Sequence, residues 1–297
     1  MSSREKIMNK VSIRFFDDRE VRAVWDESQN KWFFSVIDIV AVLRGEDDYA
    51  RNRNYWKYLK AKLKREGNKM GSVTTHLRLT APDGKRYLTN VLDYDGVIAL
   101  AKIFPSTMAN RFIEWFTYSD ETIDGQSKKK AYALFESGMI ESIEVGTVKG
   151  LRQIHGYLFG GLYDFAGQLR TVNISKGGFT FAPVQFLERT LATIEAMPED
   201  DFLSIVAKYI EMNVAHPFRE GNGRATRIWL DLMLKKNISR CIDWSRVDKR
   251  SYLAAMTQSV ANALPLMALL EPALTDKIAD REMFMKGIDY SYYYEET

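Results

Sequence analysis

The sequence predicts a multidomain α+β protein: a small α+β domain over residues 1–118, a linker over 119–130, and a mostly α-helical domain over 131–297 with one β-hairpin. Three observations lead there. VSIRFF and EVRAVWD, rich in β-branched and aromatic residues, lie near the start of the chain. The run SDETIDGQSKKK, 119–130, is polar without apolar periodicity and reads as a domain boundary. From Ala131 onward, apolar residues recur mainly at helical spacing.

Taken in order, the first two strands meet at Asp17-Asp18, and NKWFFSVIDIVAVL passes from strand-like to helix-like. A basic stretch follows, 51–69, with Arg51, Arg53, Lys57, Lys60, Lys62, Lys64, Arg65 and Lys69 opposed by Glu66 alone and interleaved with Tyr55, Trp56 and Tyr58. Two readings stand: a stripe for nucleic-acid phosphates, or a helix with a solvated face and inward aromatics. Pro82-Asp83-Gly84 marks a hairpin turn. Met108, Phe112, Trp115 and Phe116 define one helical face after Ser106. In the second domain, RTVNIS and FTFAP flank Gly177-Gly178 as a hairpin. DFLSIVAKYIEMNVA is a helix that stops at His216-Pro217, because a residue before proline is pushed out of the α region. A second helix starts around Arg224.

Composition sets the bounds. The 297 residues are 46% hydrophobic and 27% charged, a globular balance with room for two domains of about 100–200 residues each. No run nears the ~20 apolar residues of a membrane-spanning helix, and MSSREKIMNK lacks the apolar core of a secretory signal. A soluble cytoplasmic protein is the expectation. One cysteine and three histidines leave little for a structural zinc site; Cys241 and His76 read as structural, and His155 as a helix residue without a catalytic neighbour in sequence. Net charge is only +3, so no global polycation selects a partner.

The loop HPFREGNGRATR, 216–227, concentrates the chemistry. Gly221 and Gly223 permit backbone approaches that a β-carbon would block, just before a helix whose unpaired N–H groups favour an anion. Arg224 and Arg227, three residues apart on the first helical turn, can face the same anion, and the guanidinium fork suits phosphate oxygens. Glu220 is a carboxylate beside that cradle, where Mg2+ bridging phosphates would sit. His216 is the nearby group with an ordinary pKa near ~6.5 and can take a proton at neutral pH. Nucleoside triphosphate, Mg2+ and a general base are therefore expected together. With no GxxxxGK[ST] sequence, the segment is not a P-loop.

HPFREGNGRATR resembles the core motif HxFx[DE]GNGRxxR of the Fic family at every fixed position, and the resemblance runs over roughly 131–297. Fic proteins are mostly helical enzymes that usually move AMP from ATP onto a protein hydroxyl. The resemblance implies a protein adenylyltransferase in which His216 deprotonates a target Tyr, Thr or Ser, Phe218 anchors the loop, and Glu220 positions Mg2+. It further implies that Gly221, Asn222 and Gly223 form the anion cradle, that Arg224 grips the β-phosphate and Arg227 the γ-phosphate, and that Asn213 contacts nucleotide. Relatives with other leaving groups often depart from the second half of the motif; Asn222, Arg224 and Arg227 are kept here. The Lys176-Gly177-Gly178 hairpin resembles the family's flap, whose edge can receive a target segment by strand addition, with Lys176 within reach of the nucleotide.

At the C-terminus, REMFMKGIDYSYYYEET repeats Phe284, Ile288 and Tyr292 every fourth residue and puts Ser291 and Glu295 on one helical face. This resembles the inhibitory motif [ST]xxxE[GN] of the class III Fic group, with Glu296 in place of the final Gly or Asn. It implies a C-terminal inhibitory helix over 281–297 in which Glu295 pairs with Arg227, self-modification at Tyr292, and self-association into a homo-oligomer. VRAVWDESQNKWFFSVIDIVAVL resembles the Bro-N domain of phage antirepressors, over about 11–118; that domain is associated with DNA binding, in line with the 51–69 stretch. Two rivals to AMP transfer remain at this level: AMP removal, with Glu295 orienting a water, and a DNA-binding regulator whose Fic part senses nucleotide.

Overall fold

Asp17 and Asp18 both adopt positive φ, 46° and 63°, so the two-residue connection has the backbone twist that suits a tight hairpin. It joins β1 (Val11–Phe16) to β2 (Arg19–Asp26). The computed structural model describes residues 11–68, 74–81, 84–104, 106–118 and 121–295, and the chain divides into units 1–120 and 121–297.

In the first unit β3 (Lys31–Ser35), β4 (Thr75–Thr80) and β5 (Arg86–Leu92) complete an antiparallel sheet in the order β1-β2-β3-β5-β4. Ser35 ends β3 and caps α1 (Val36–Arg44), its hydroxyl accepting from the Asp38 N–H. With α2 (Tyr49–Arg65), α3 (Tyr94–Ala101) and α4 (Thr107–Tyr118), α1 buries a core that includes Phe34, Ile39, Leu59, Leu100, Phe112 and Phe116. On α2 the three aromatics separate: Trp56 is buried, Tyr55 packs against the core, and Tyr58 is 60% exposed. Of the expected Pro82-Asp83-Gly84 turn, Pro82 and Asp83 lie outside the described residues; Gly84 has φ 75° and donates to the Ala81 carbonyl.

The second unit is helical: α5 (Ile123–Glu136), α6 (Val148–Phe159), α7 (Leu187–Glu195), α8 (Phe202–Ala215), α9 (Asn222–Ile238), α10 (Lys249–Gln258), α11 (Leu264–Leu270) and α12 (Arg281–Tyr293). Two short antiparallel pairs interrupt it: β6 (Ser175–Lys176) with β7 (Phe179–Thr180), and β8 (Cys241–Ile242) with β9 (Leu274–Thr275). α8 and α9 pack together at the centre, with α6 and α12 against α9 and α5 against α6 and α12, and Ile205, Tyr209, Trp229, Leu230 and Met233 are fully buried. Among the described residues no helix is long and apolar enough to cross a membrane.

The linker expected over 119–130 is instead helix from Ile123 onward, while 119 and 120 lie outside the described residues. Thr122 caps it by accepting the Gly125 N–H at 3.0 Å. Its apolar period is weak because the buried face opens on Ser127 and Ala131 before Leu134, and its contacts to α12 include polar ones beside the stack of Phe135 on Phe284. Tyr292 donates to Ser127 at 3.0 Å, and Lys128 pairs with Asp289 at 2.8 Å.

Asp231 on α9 anchors the seat of α12. Its two carboxylate oxygens accept from the Ile242 N–H at 2.9 Å and the Trp244 indole N–H at 2.7 Å. Trp244 in turn meets Gly287 and Tyr294, whose hydroxyl is shared between the Trp244 and Val247 carbonyls. Burial pushes the Asp231 carboxyl up to about 7, against the pull of its two donors. A carboxyl raised on folding makes the native state bind more protons, so its contribution is full below about pH 4 and is lost as pH rises toward 7. Asp231→Asn should therefore flatten a fall in stability of at most about 4 kcal/mol across that window, read from denaturant midpoints at pH 4.5 and 7.5. Equal pH slopes for the two chains would refute the assignment.

Candidate functional site

α8 ends at His216, whose φ of 48° places it in the left-handed region while its N–H still closes the last helical turn on Met212. Pro217 follows and prevents the helix from continuing. The His216 ring stacks on Phe181, just beyond β7, with centroids 3.8 Å apart. Its Nδ1 lies 3.2 Å from the Asn213 carbonyl. A carbonyl only accepts, so Nδ1 carries the proton and Nε2 keeps its lone pair. Burial, helped by the cation Lys176, pushes the imidazole down to about 4 against the Asn213 bond, Glu295 and Glu220. At neutral pH it is a neutral base.

The loop beyond His216 closes on itself through Asn222. Its Oδ1 accepts the Phe218 N–H at 2.9 Å and its Nδ2 donates to the Phe218 carbonyl at 2.8 Å, so this side chain is spent on loop shape. Phe218 is fully buried and stacks on His155, centroids 3.8 Å apart. His155 links two other segments: it accepts the Gly167 N–H on Nδ1 and donates from Nε2 to the Glu220 carbonyl, both at 2.9 Å. Burial drives it to about 4 as well. Gly221 has φ 79°, and a β-carbon there would come within 2.4 Å of Phe159. At Gly223 a β-carbon would meet the Glu295 carboxylate at 2.2 Å; this glycine makes room for an anion beside the first turn of α9.

Both arginines are buried and occupied. Arg224 pairs with Asp124 of α5 and, at 2.9 Å, with Glu220; its Nε has no partner. Arg227 donates from Nε to the Ser291 hydroxyl at 2.8 Å, and from one terminal nitrogen to the Ser291 carbonyl at 2.7 Å and Glu295 at 2.5 Å. The other terminal nitrogen reaches the Tyr252 hydroxyl at 3.4 Å. Burial alone would raise the Glu295 carboxyl, but Arg227 outweighs it and holds Glu295 below the usual range. Burial by itself would lower the Arg227 guanidinium, and Glu295, Tyr252 and Tyr209 raise it. Glu220 is half exposed beside these groups, with one oxygen taken by the Gly221 N–H and Arg224.

His216, Phe218, Glu220, Gly221, Asn222, Gly223, Arg224, Arg227, Ser291 and Glu295 thus form one cluster. Lys176 is exposed on the hairpin, close enough to depress His216 and Glu295. Asn213 enters through its backbone carbonyl. Tyr292 is buried with its hydroxyl on Ser127; any chemistry on it requires α12 to leave. Glu296 lies outside the described residues. Asp124 and Tyr252 are in the site but unmarked in the sequence, and His155, read there as a helix residue without a catalytic neighbour, joins them through Phe218 and the Glu220 carbonyl. Each acts on the cluster from another helix, and no local pattern marks them.

Comparison with known proteins adds the following. The Fic/DOC family model matches residues 146–234, so the chain carries a Fic domain. It is 32% identical over 147 residues to the protein adenylyltransferase VbhT of Bartonella schoenbuchensis, covering 45% of this chain and 30% of that protein. It is 27% identical over 174 residues to the probable protein adenylyltransferase Fic of Escherichia coli, covering 53% of this chain and 86% of that one. The chain therefore spans under a third of VbhT and most of the E. coli protein. Among solved structures, it is similar to the N-terminal Fic domain of a Bartonella quintana effector with bound ADP, at 20% identity and TM-score 0.46, covering 54% of this chain and 86% of that one.

The environment of His216 makes a direct prediction. In an NMR titration His216 and His155 should both protonate near pH 4. Phe181→Ala, which uncovers one face of His216, should move that midpoint upward and leave His155 in place. A wild-type His216 midpoint near ~6.5, the ordinary value, would contradict the buried neutral base.

Proposed function

We propose that this chain is a protein adenylyltransferase, transferring AMP from ATP to a Tyr, Thr or Ser hydroxyl of a target protein, and that α12 holds it inactive. One observation carries the reading: a neutral histidine with a free Nε2 sits beside a helix N-terminus that bears two buried arginines and has room for an anion at Gly223. The curated relatives named as adenylyltransferases support it.

In the reaction, His216 Nε2 takes the proton of the target hydroxyl as its oxygen bonds to the α-phosphorus. The bond from that phosphorus to the oxygen bridging the α- and β-phosphates breaks, and pyrophosphate departs. Arg224 and Arg227 neutralise the charge on the departing β- and γ-phosphates, and the N–H groups of the first turn of α9 cradle it, so catalysis is mainly positioning and electrostatics. Asn222 and Phe218 keep the cradle in shape. No group of three or more metal-ligating side chains occurs among the described residues. A single half-exposed carboxylate, completed by phosphate oxygens and water, suits Mg2+, and Glu220 is that carboxylate. When bound, Mg2+ supplies further neutralisation of phosphate charge.

The resting state blocks this chemistry at Arg227. Ser291 and Glu295 take three of the five Arg227 N–H donors, and the Glu295 carboxylate holds the place on Arg227 that a γ-phosphate would need; Asp124 competes similarly at Arg224. Release of α12 frees Arg227 and uncovers Tyr292, which makes Tyr292 the self-modification site in this reading. A second reading concerns the first unit: α2 exposes Arg53, Lys57, Lys64 and Arg65 beside Tyr58, a face suited to DNA phosphates. A DNA probe retarded by the chain in low salt, and released as salt rises, would support it.

Rates of label transfer from ATP test the main reading. Glu295→Gly should transfer at least about 10-fold faster than wild type, since each 1.4 kcal/mol of relief is tenfold. Adding Arg227→Ala should abolish the gain. An inactive Glu295→Gly chain, or a double variant as fast as the single one, would overturn the lock.

In the Glu295→Gly background His216→Ala should lose transfer, by at least about 100-fold as for a missing general base, while still binding ATP. Glu220→Ala should shift the Mg2+ titration to higher concentration; an unchanged titration would place the metal elsewhere.

A further inference from the structure

Arg170 is buried at 3% exposure, yet among the described residues no carboxylate pairs with it. All its side-chain bonds go to backbone carbonyls on three segments. Nε donates to the His216 carbonyl at 2.8 Å, one terminal nitrogen to Val172 at 2.8 Å, and the other to Ala215 at 3.1 Å and to Ala182. Its own N–H donates to the Pro217 carbonyl at 2.9 Å. Ala215 and His216 end α8, where carbonyls are left without helical partners and the helix dipole is negative. Val172 and Ala182 lie on opposite arms of the β6–β7 hairpin, below the pairing of Ile174 with Phe181. Ala182 also donates to the Val214 carbonyl at 3.3 Å, and Phe181, the next residue, carries the ring on His216.

We propose that Arg170 is a positioning residue that locks the hairpin and the His216 backbone into one frame, so that a target segment on the hairpin arrives in register with the base. The inference rests on the adenylyltransferase reading for what the frame serves, but the clamp itself is measurable without it. A planar guanidinium reaches carbonyls in several directions at once; a lysine ammonium on a thinner stem cannot hold all four. The bonds touch no phosphate-facing group, so nucleotide binding should be insensitive to them.

The test is Arg170→Lys in the Glu295→Gly chain, followed by backbone hydrogen exchange, ATP affinity and self-modification with labelled ATP. The amides of Phe181 and Ala182 should exchange at least tenfold faster, with Trp229 and Leu230 in α9 unchanged. The maximal self-modification rate should fall at least tenfold, with ATP affinity within twofold. Arg170→Gln, which keeps one planar amide and buries no charge, is read in the same way should the lysine variant not fold. Unchanged exchange at Phe181 and Ala182 would overturn the proposal. So would a loss of ATP affinity in step with the rate, since Arg170 would then be scaffold for the whole site. A Glu295→Gly chain that transfers nothing, with exchange at the hairpin accelerated by Arg170→Lys, would refute the adenylyltransferase reading and leave the clamp standing.

Discussion

A guanidinium at 3% exposure must have an anion or a full set of acceptors, because an unpaired buried charge is strongly destabilising. Arg227 is that group, and its partners come from α12 and the turn that ends it: the Ser291 hydroxyl and carbonyl, and the Glu295 carboxylate. Tyr252 and Tyr294 add ring faces at 5.8 and 5.5 Å. Everything in the second unit that bears on the site is arranged around this demand. α9 presents the arginine, Gly223 leaves room for the anion, and Asp231 and Trp244 seat the helix that supplies it. A phosphate group could meet the same demand, so in the proposed function Arg227 takes either the carboxylate or the nucleotide.

The materials on either side of that choice differ. The loop from His216 to Gly221 is held by buried, fully formed contacts: Phe218 on His155, Asn222 on the Phe218 backbone, Gly221 against Phe159. It has little freedom to rearrange. α12 meets α5 partly through polar groups, with Tyr292 on Ser127, Lys128 and Tyr132 on Asp289, and Arg281 on Glu136. Such a seam exchanges its hydrogen bonds for water at modest net cost, whereas an apolar core loses its burial outright. In the proposed function the fixed part holds the chemistry and α12 is the part that would separate to regulate it.

How much of this is legible in the sequence follows from how local each interaction is. The twelve residues of HPFREGNGRATR announce base, cradle and arginines because they are consecutive, and the four-residue spacing of Ser291 and Glu295 announces a shared face. The turn at Asp17-Asp18, the Ser35 cap and the stop at His216-Pro217 are equally local. His155 is not, because its acceptor on Glu220 lies 65 residues away. Asp124 stands 100 residues from Arg224 in a segment whose polarity reads as linker. The buried face of its helix opens on Ser127 and Ala131, too small to announce an apolar period before Leu134. Arg170 bonds only carbonyls, and a carbonyl has no residue type to signal it.

Competition between Glu295 and the γ-phosphate for Arg227 is decided by equilibrium affinities for ATP and ADP in wild type and Glu295→Gly. Removing the carboxylate should tighten ATP several-fold and leave ADP nearly unchanged, because only ATP carries the phosphate that takes its place. An equal gain for both nucleotides, or no gain for ATP, would contradict it.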